Sequence, residues 1–321
     1  MDLIRSSLDQ SILDYLLIAW SSSLFIITSL VYFVLIMKKV QTGQVIEFYS
    51  NTCLVKTNFG EFSCVAIKNV VVGDYVELEI IQDSKKTLGK ILKVIDRRSK
   101  ISKRIGNKDK LFAANVTHVG ILVTPSPKTS SEFIDKWIIK SKTSKIAPFI
   151  INNKTDIESS LNYDKKLEIY SNIGLKVMSI SAKHNININE VVDYLKDKCV
   201  LFVGNSGAGK STLTSKVVGK KIKTNSLSND QGVHTTSISS LYEAENGLKI
   251  IDSPGMRDIE LADYSINQIT KGFEEIYNAS KYCKFNDCNH IDNEGCNVAN
   301  LVSNGQINIS RYNNFIKFIS K

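Results

Sequence analysis

Hydrophobic positions along this chain fall into four regimes. From Tyr15 to Met37 runs a stretch of 23 uncharged residues rich in Leu, Ile, Phe and Val, long enough to cross a bilayer core. From Gln44 to Asp96 the pattern changes to short apolar runs, with turn signals at Asn58/Gly60, Gly73-Asp74 and Asp83-Ser84. The runs 44–50, 52–57, 62–67, 74–81 and 88–95 predict five strands, and so many in so short a span point to a small β-barrel. Arg97 to Lys110 is basic and poor in large apolar side chains. It reads as a linker, either plainly solvated or facing nucleic acid.

From Val119 onward, strand-like runs at 119–124, 147–152, 175–181, 200–205 and 248–253 alternate with helix-compatible stretches such as 131–142 and 211–218. That alternation predicts a mostly parallel sheet with helices on its faces. After Asp258 the pattern turns helical, with 266–279 and 309–319 flanking a group of cysteines. The expected organisation is a hydrophobic extension over 1–39, a barrel over 40–100, an α/β domain over 101–260 and a helical domain over 261–321.

Composition narrows the classes. With 321 residues, 43% hydrophobic and 23% charged, the chain is neither a peptide nor a disordered protein, and 4 Pro with 17 Gly exclude a collagen-like or Pro-rich architecture. Lys and Arg number 41 against 32 Asp and Glu, a net charge of +9. That excess favours a polyanionic partner, nucleic acid or anionic lipid, against the plainer reading of a solvated basic surface. The apolar N-terminus also has two readings. As an anchor, with Lys38 and Lys39 behind it, it would leave everything downstream in the cytoplasm. Alternatively, Met37 opens a soluble start, MKKVQTGQVIEF, and the upstream stretch is an over-extended reading frame; this second reading is favoured, and with it a cytoplasmic protein.

The chemistry lies in four motifs. Gly204-Asn205-Ser206-Gly207-Ala208-Gly209-Lys210-Ser211 matches the phosphate-binding loop GxxxxGK[ST], between a strand-like and a helix-like segment as that motif requires. Backbone N–H groups would cradle the phosphates, Lys210 would reach the β- and γ-phosphates, Ser211 would hold Mg²⁺, and Thr212 falls among the nucleotide contacts. Asn153-Lys154-Thr155-Asp156 matches NKxD. A carboxylate at Asp156 can accept from the ring N–H and exocyclic amine of guanine, whereas adenine would leave it unpaired. Ser181-Ala182-Lys183 supplies a second base loop, and Asp252-Ser253-Pro254-Gly255 fits DxxG, with Asp252 toward Mg²⁺ and the Gly255 N–H toward the γ-phosphate. Between them lies Gly232-Val233-His234-Thr235-Thr236-Ser237, where a Thr hydroxyl, Thr235 or Thr236, could complete the Mg²⁺ shell. Together the motifs favour GTP over ATP.

Their order is unusual. Ras-like GTPases run from the phosphate loop to NKxD, whereas here NKxD and SAK precede the phosphate loop. Neighbouring termini permit such a circular permutation. Separately, Cys283, Cys288, His290 and Cys296 form a compact set of three thiols and an imidazole, suited to one structural Zn²⁺. Cys53, Cys64 and Cys199 sit in apolar runs and read as small buried hydrophobes.

With these motifs, residues 40 to 321 resemble the circularly permuted ribosome-assembly GTPases called RsgA or YjeQ. The resemblance implies an OB-fold barrel, a permuted P-loop GTPase domain and a zinc domain. It further implies GTP hydrolysis stimulated by the small ribosomal subunit, a role in late maturation of that subunit, and contact with its rRNA by a monomeric protein. Two positions depart from the family pattern: Ser237 replaces a Thr and Lys136 replaces an Arg. Met256 stands where Ras-type enzymes place the water-orienting Gln, so intrinsic turnover should be slow. The resemblance points to His234 as the group that positions water, against the alternative that it merely packs the switch. A membrane-tethered switch and a non-hydrolysing GTP-binding scaffold are the other function classes open to this sequence.

Overall fold

The computed structural model describes residues 40–82, 87–106, 108–157, 160–219, 239–252, 259–291 and 294–320. The apolar stretch 15–37 lies outside them, and among the described residues no helix is long and apolar enough to cross a membrane.

The N-terminal strands β1 (Val40–Phe48), β2 (Thr52–Thr57), β3 (Gly60–Val65), β4 (Tyr75–Gln82) and β5 (Thr87–Val94) run in the order β1-β2-β3-β5-β4, and β4 pairs back onto β1. The result is a closed five-stranded barrel. Alternate positions of β2 and β3 point inward, so Cys53, Val55, Phe62 and Cys64 fill its interior with Val45, Val76 and Leu78.

Next comes a departure from the sequence reading. The basic run expected to be a linker is half of a hairpin, β6 (Lys100–Ile105) paired with β7 (Lys108–Ala114). Its partner strand supplies the apolar residues that the run lacks: Ile101 and Ala113 face one another in register and are both buried. Charge along one strand concealed a pairing that only the second strand completes.

The α/β sheet has β10 (Val177–Ile180), β9 (Ala147–Asn153), β8 (His118–Val123), β11 (Cys199–Gly204) and β13 (Lys249–Asp252) in parallel, with β12 (Ser239–Glu243) antiparallel at the end. The strands β8, β9 and β11 are near-continuous apolar runs because helices cover both faces. On one face Val119, Ile121, Val123, Leu201 and Val203 pack against Ile134, Trp137 and Ile138 of α1 (Ser131–Thr143) and Leu167 and Tyr170 of α2 (Ser160–Asn172). On the other, Leu122, Phe149, Ile151 and Phe202 meet Val191 of α3 (Ile188–Tyr194) and Leu213 and Val217 of α4 (Lys210–Val218). The barrel joins this sheet at its edge: Glu47 and Phe48 of β1 pair with Ser240 and Ser239 of β12, and Lys249 donates to Gln44 at 2.7 Å.

The C-terminal unit holds α5 (Ile266–Gly272), α6 (Glu274–Ser280), α7 (Asn297–Ser303) and α8 (Ile309–Ile319). The single helix expected over 266–279 is broken at Phe273, whose backbone leaves the helical region so that its ring enters the core against Phe315 and Phe318. A Ser265/Gln268 capping box starts α5. Gly272 allows α5 to lie directly on α1; a Cβ there would meet Ile139 at 2.4 Å.

One buried ion network clamps this unit to the sheet. Arg311 of α8, 1% exposed, donates to Asp135 of α1 and, at 2.7 Å, to Glu275 of α6, while Asn314 donates to Asp135 at 2.6 Å. The guanidinium also lies 4.3 Å from the centre of the Phe273 ring. Burial opposes its charge, but Asp135 and Glu275 outweigh that and hold its pKa above the ordinary value. Because removal of one member strands the other in the core, Arg311→Met is expected to cost about 3–5 kcal/mol of stability, measured by urea unfolding. A loss below about 1 kcal/mol, the level of an exposed pair, would contradict the clamp.

Candidate functional site

Parallel pairing brings the C-terminal ends of β9, β10, β11 and β13 to one edge of the sheet, the edge at which open α/β sheets bind ligands. The NKxD, SAK, phosphate-loop and DxxG segments leave from those ends. Asn153, Ser181, Gly204 and Asp252 therefore lie along one rim although their order in the chain is permuted.

Asn153 ties three of the loops together. Its Nδ2 donates to the carbonyl of Ala208 in the phosphate loop at 2.8 Å, and its Oδ1 accepts from the Ala182 N–H at 3.0 Å. The side chain is 2% exposed, so both bonds are made away from water. Gly209 is needed beneath it: its φ is +92°, and a Cβ there would fall 2.3 Å from Asn153 Nδ2. The loop then turns into α4, with Gly209 at its N-cap. The Lys210 ammonium lies over its own loop, donating to the carbonyls of Gly204 at 2.6 Å and Asn205 at 3.0 Å. Ser206 and Gly207 are exposed at the loop tip, Ala208 is buried under it, and Ser211 and Thr212 follow on the first turn of α4.

At the base end, Ser181 Oγ donates to Asp156 at 2.6 Å, and the SAK loop is held by the Thr155 N–H donating to Ile180 at 3.1 Å. The Ser181 hydroxyl holds the Asp156 carboxyl below its ordinary pKa, so the side chain is an ionised acceptor at neutral pH. Lys183 projects into solvent. Asp252 ends β13. The surrounding protein raises its carboxyl above the ordinary value and the Lys210 ammonium opposes that rise, which places the two in each other's field. His234, Thr235, Thr236, Gly255 and Met256 lie outside the described residues.

Two features of the site escaped the sequence reading. The segment Thr124–Thr129 after β8 forms a wall: Ser126 accepts from the Lys154 ammonium at 2.7 Å, and Pro127 lies beside Gly207. Its signal was the Pro-containing turn at the end of a buried strand on the binding edge. His184, just past SAK, sits with Nε2 3.5 Å from Asp156 Oδ2; a lone His in a loop gave no such signal.

The second site is in the C-terminal unit. Ligand atoms of Cys283, Cys288, His290 and Cys296 all lie within 4.8 Å of one another, and His290 Nδ1 is 3.6 Å from the sulfurs of Cys283 and Cys296. Bonds of ~2.3 Å to sulfur and ~2.05 Å to nitrogen in a tetrahedron require an S···N edge of about 3.6 Å, so the donors fit Zn²⁺. Burial keeps the His290 imidazole below its ordinary pKa, in the neutral ligating form. Burial, with the Cys288 and Cys283 thiols adding, pushes the Cys296 thiol up to about 11, a crowding that a dication would relieve. Tyr312 of α8 donates to the His290 carbonyl at 2.6 Å and anchors the loop.

A model of the RsgA GTPase family matches residues 94–262, which hold all four loops of the rim. The chain belongs to the RsgA GTPase family. Among family members, the small ribosomal subunit biogenesis GTPase RsgA of Actinobacillus pleuropneumoniae serotype 5b is 33% identical over 293 residues, spanning 88% of this chain and 85% of the relative. The protein of that name from Flavobacterium psychrophilum is 30% identical over 277 residues, 83% and 85% of the two chains. YjeQ from Thermotoga maritima superposes with a TM-score of 0.69 at 28% identity, covering 88% of this chain and 98% of that one. YloQ, described as a circularly permuted GTPase, shares the fold with a TM-score of 0.66 at 22% identity, over 88% and 94%. The permuted motif order is thus a property of this RsgA fold.

Loss of both Asn153 bonds in Asn153→Ala is expected to weaken binding of a fluorescent GDP by about 10- to 100-fold, as for two buried hydrogen bonds. Unchanged affinity in that titration would remove Asn153 from the site.

Proposed function

We propose that this RsgA-family protein is a GTPase of small-ribosomal-subunit biogenesis: in its GTP state it engages the maturing subunit and its rRNA, and subunit contact stimulates hydrolysis. The observation that carries the reading is the Asn153 junction, which joins the base loops to the phosphate loop in the permuted order of this family. The names of its relatives, small ribosomal subunit biogenesis GTPases, give the direction of the partner assignment. The net charge of +9 suits rRNA. A monomer working in the cytoplasm, late in subunit maturation, fits this role.

In this reading Asp156 accepts from guanine, with Asn153, Lys154 and Thr155 shaping its loop and Ser181, Ala182 and Lys183 closing over the base. The backbone from Gly204 and Asn205 through Ser206, Gly207, Ala208 and Gly209 wraps the phosphates. Lys210 leaves the loop carbonyls for the β- and γ-phosphates, while Ser211, a Thr of the 235–236 pair and Asp252 hold Mg²⁺, directly or through water. Thr212 borders the phosphates, and the Gly255 N–H meets the γ-phosphate. With Met256 unable to hydrogen-bond water, His234 orients the attacking molecule. Mg²⁺ would neutralise charge developing on the phosphates. Cys283, Cys288, His290 and Cys296 would hold one Zn²⁺ with no open position, which makes it a folding element of the C-terminal unit and no part of the reaction.

Purified small subunits are expected to stimulate GTP hydrolysis by at least about tenfold, roughly 1.4 kcal/mol of barrier lowering, and Asp156→Asn should transfer that stimulated activity from GTP to xanthosine triphosphate. A flat response to added subunits sinks the subunit assignment, and unchanged base preference sinks the base site. Elemental analysis should find one Zn²⁺ per chain, and Cys296→Ser should abolish it together with the proteolytic resistance of the C-terminal unit. Full resistance without metal would refute a folding role.

A further inference from the structure

The basic run Arg97 to Lys110 belongs to none of the loops above, and the fold divides its charges unequally. Arg97 is spent on Asp74, which is fully buried, through bonds of 2.6 and 2.8 Å, and Arg104 pairs with Asp263 at 2.7 Å. Arg98 and Lys100, with the paired Arg97 beside them, line a cleft of about 630 Å³ where three parts of the molecule meet: the strap leaving the barrel, the C-terminal end of α1, and the start of the C-terminal unit at Tyr264 and Gln268. Lys140 and Lys145 enter the same cleft from α1 and its following turn. None of these four cations has a carboxylate partner among the described residues, and Asp96 is the single acidic residue in the lining.

We propose that this cleft binds the phosphodiester backbone of RNA through Arg98, Lys100, Lys140 and Lys145. The proposal rests on the reading of the protein as an rRNA-contacting GTPase and names where one such contact is made. Four cations without a carboxylate partner, lining one concave surface, raise the local potential more than the same charges spread over a convex one. The helix end does not cancel them, because its last carbonyls are already taken: the Ser144 N–H donates to Lys140 and Ser141, and the Thr143 hydroxyl to Ile139. An acidic peptide fits less well. Most peptide partners are held by apolar anchors, and the aromatic ring in the lining, Tyr264, already faces the Lys140 ammonium at 5.5 Å. A chain of phosphates needs only cations and hydroxyls, which this cleft supplies. Its walls come from the barrel strap, the α/β domain and the C-terminal unit together, so a strand held here touches all three.

The test is a salt titration of a fluorescein-labelled oligouridine on the full chain, wild type against Arg98→Ala/Lys100→Ala/Lys145→Ala. Three lost phosphate contacts should make the slope of log K against log salt shallower by about 2 and weaken binding at least about tenfold, with fluorescent GDP affinity unchanged. A control, Lys165→Ala/Lys166→Ala/Lys196→Ala, removes three exposed lysines outside the cleft and should leave the slope near wild type. The proposal is overturned by an unchanged slope in the cleft variant, by an equal loss in the control, or by polyglutamate displacing the RNA charge for charge. Subunit-stimulated hydrolysis of the wild type, run in parallel, separates the two readings. Stimulation with no slope change removes the cleft alone, whereas a cleft-dependent slope without stimulation supports the cleft and removes the subunit assignment.

Discussion

The carboxamide of Asn153 has one donor and one acceptor committed to two different loops, and neither commitment can be replaced by water because the side chain is buried. A misplaced base loop would leave a carbonyl of the phosphate loop and an N–H of the SAK loop unpaired in the interior, a cost of about 1–3 kcal/mol for each group. The base and phosphate ends of the site are therefore set at a fixed distance by a group between them. The glycine at 209 is a consequence of this junction, since any Cβ would occupy the volume of the amide.

That junction exists because parallel strands deliver all their C-terminal ends to one rim. Parallel pairing is indifferent to the order in which the chain visits the strands, provided that crossovers bury both faces. Permutation consequently leaves the rim intact while changing what is attached to it. Here the chain leaves β13 for the C-terminal helices, and the Arg311 clamp returns those helices to α1. At the sheet edge the barrel holds β12 through β1. The barrel is thus bonded to β12, which pairs with β13, while the C-terminal unit is clamped to α1 on the face of the sheet.

Much of this was readable from residues. The five barrel strands, the buried parallel strands, α1, α4 and α8 followed from periodicity, because in each the burial pattern is uniform along the element. Elements whose burial depends on a distant partner were not readable. The β6–β7 hairpin hides two inward residues among lysines, and β12 is a five-residue strand held by pairing on both sides. The helix α2 is rich in polar residues, and α3 spans only seven residues. The break at Phe273 follows from the core needing that ring, a demand set by Phe315 and Phe318 some forty positions later.

The sequence by itself determined the candidate chemistry: the loop types, the groups suited to guanine, the thiols and imidazole suited to a metal and the permuted order are properties of local residue identity and spacing. Tertiary structure decided which of those groups act together. Asp156 and Ser181, or Asn153 and Ala208, lie 25 and 55 positions apart and meet only through strand register. It also decided which charges remain available. Arg97 and Arg98 are neighbours in sequence and both border the open cleft, yet one is consumed by a buried carboxylate and the other has no carboxylate partner among the described residues. Whether a side chain finds a partner depends on what the fold brings within about 3 Å of it, and that distance is not encoded in either neighbour.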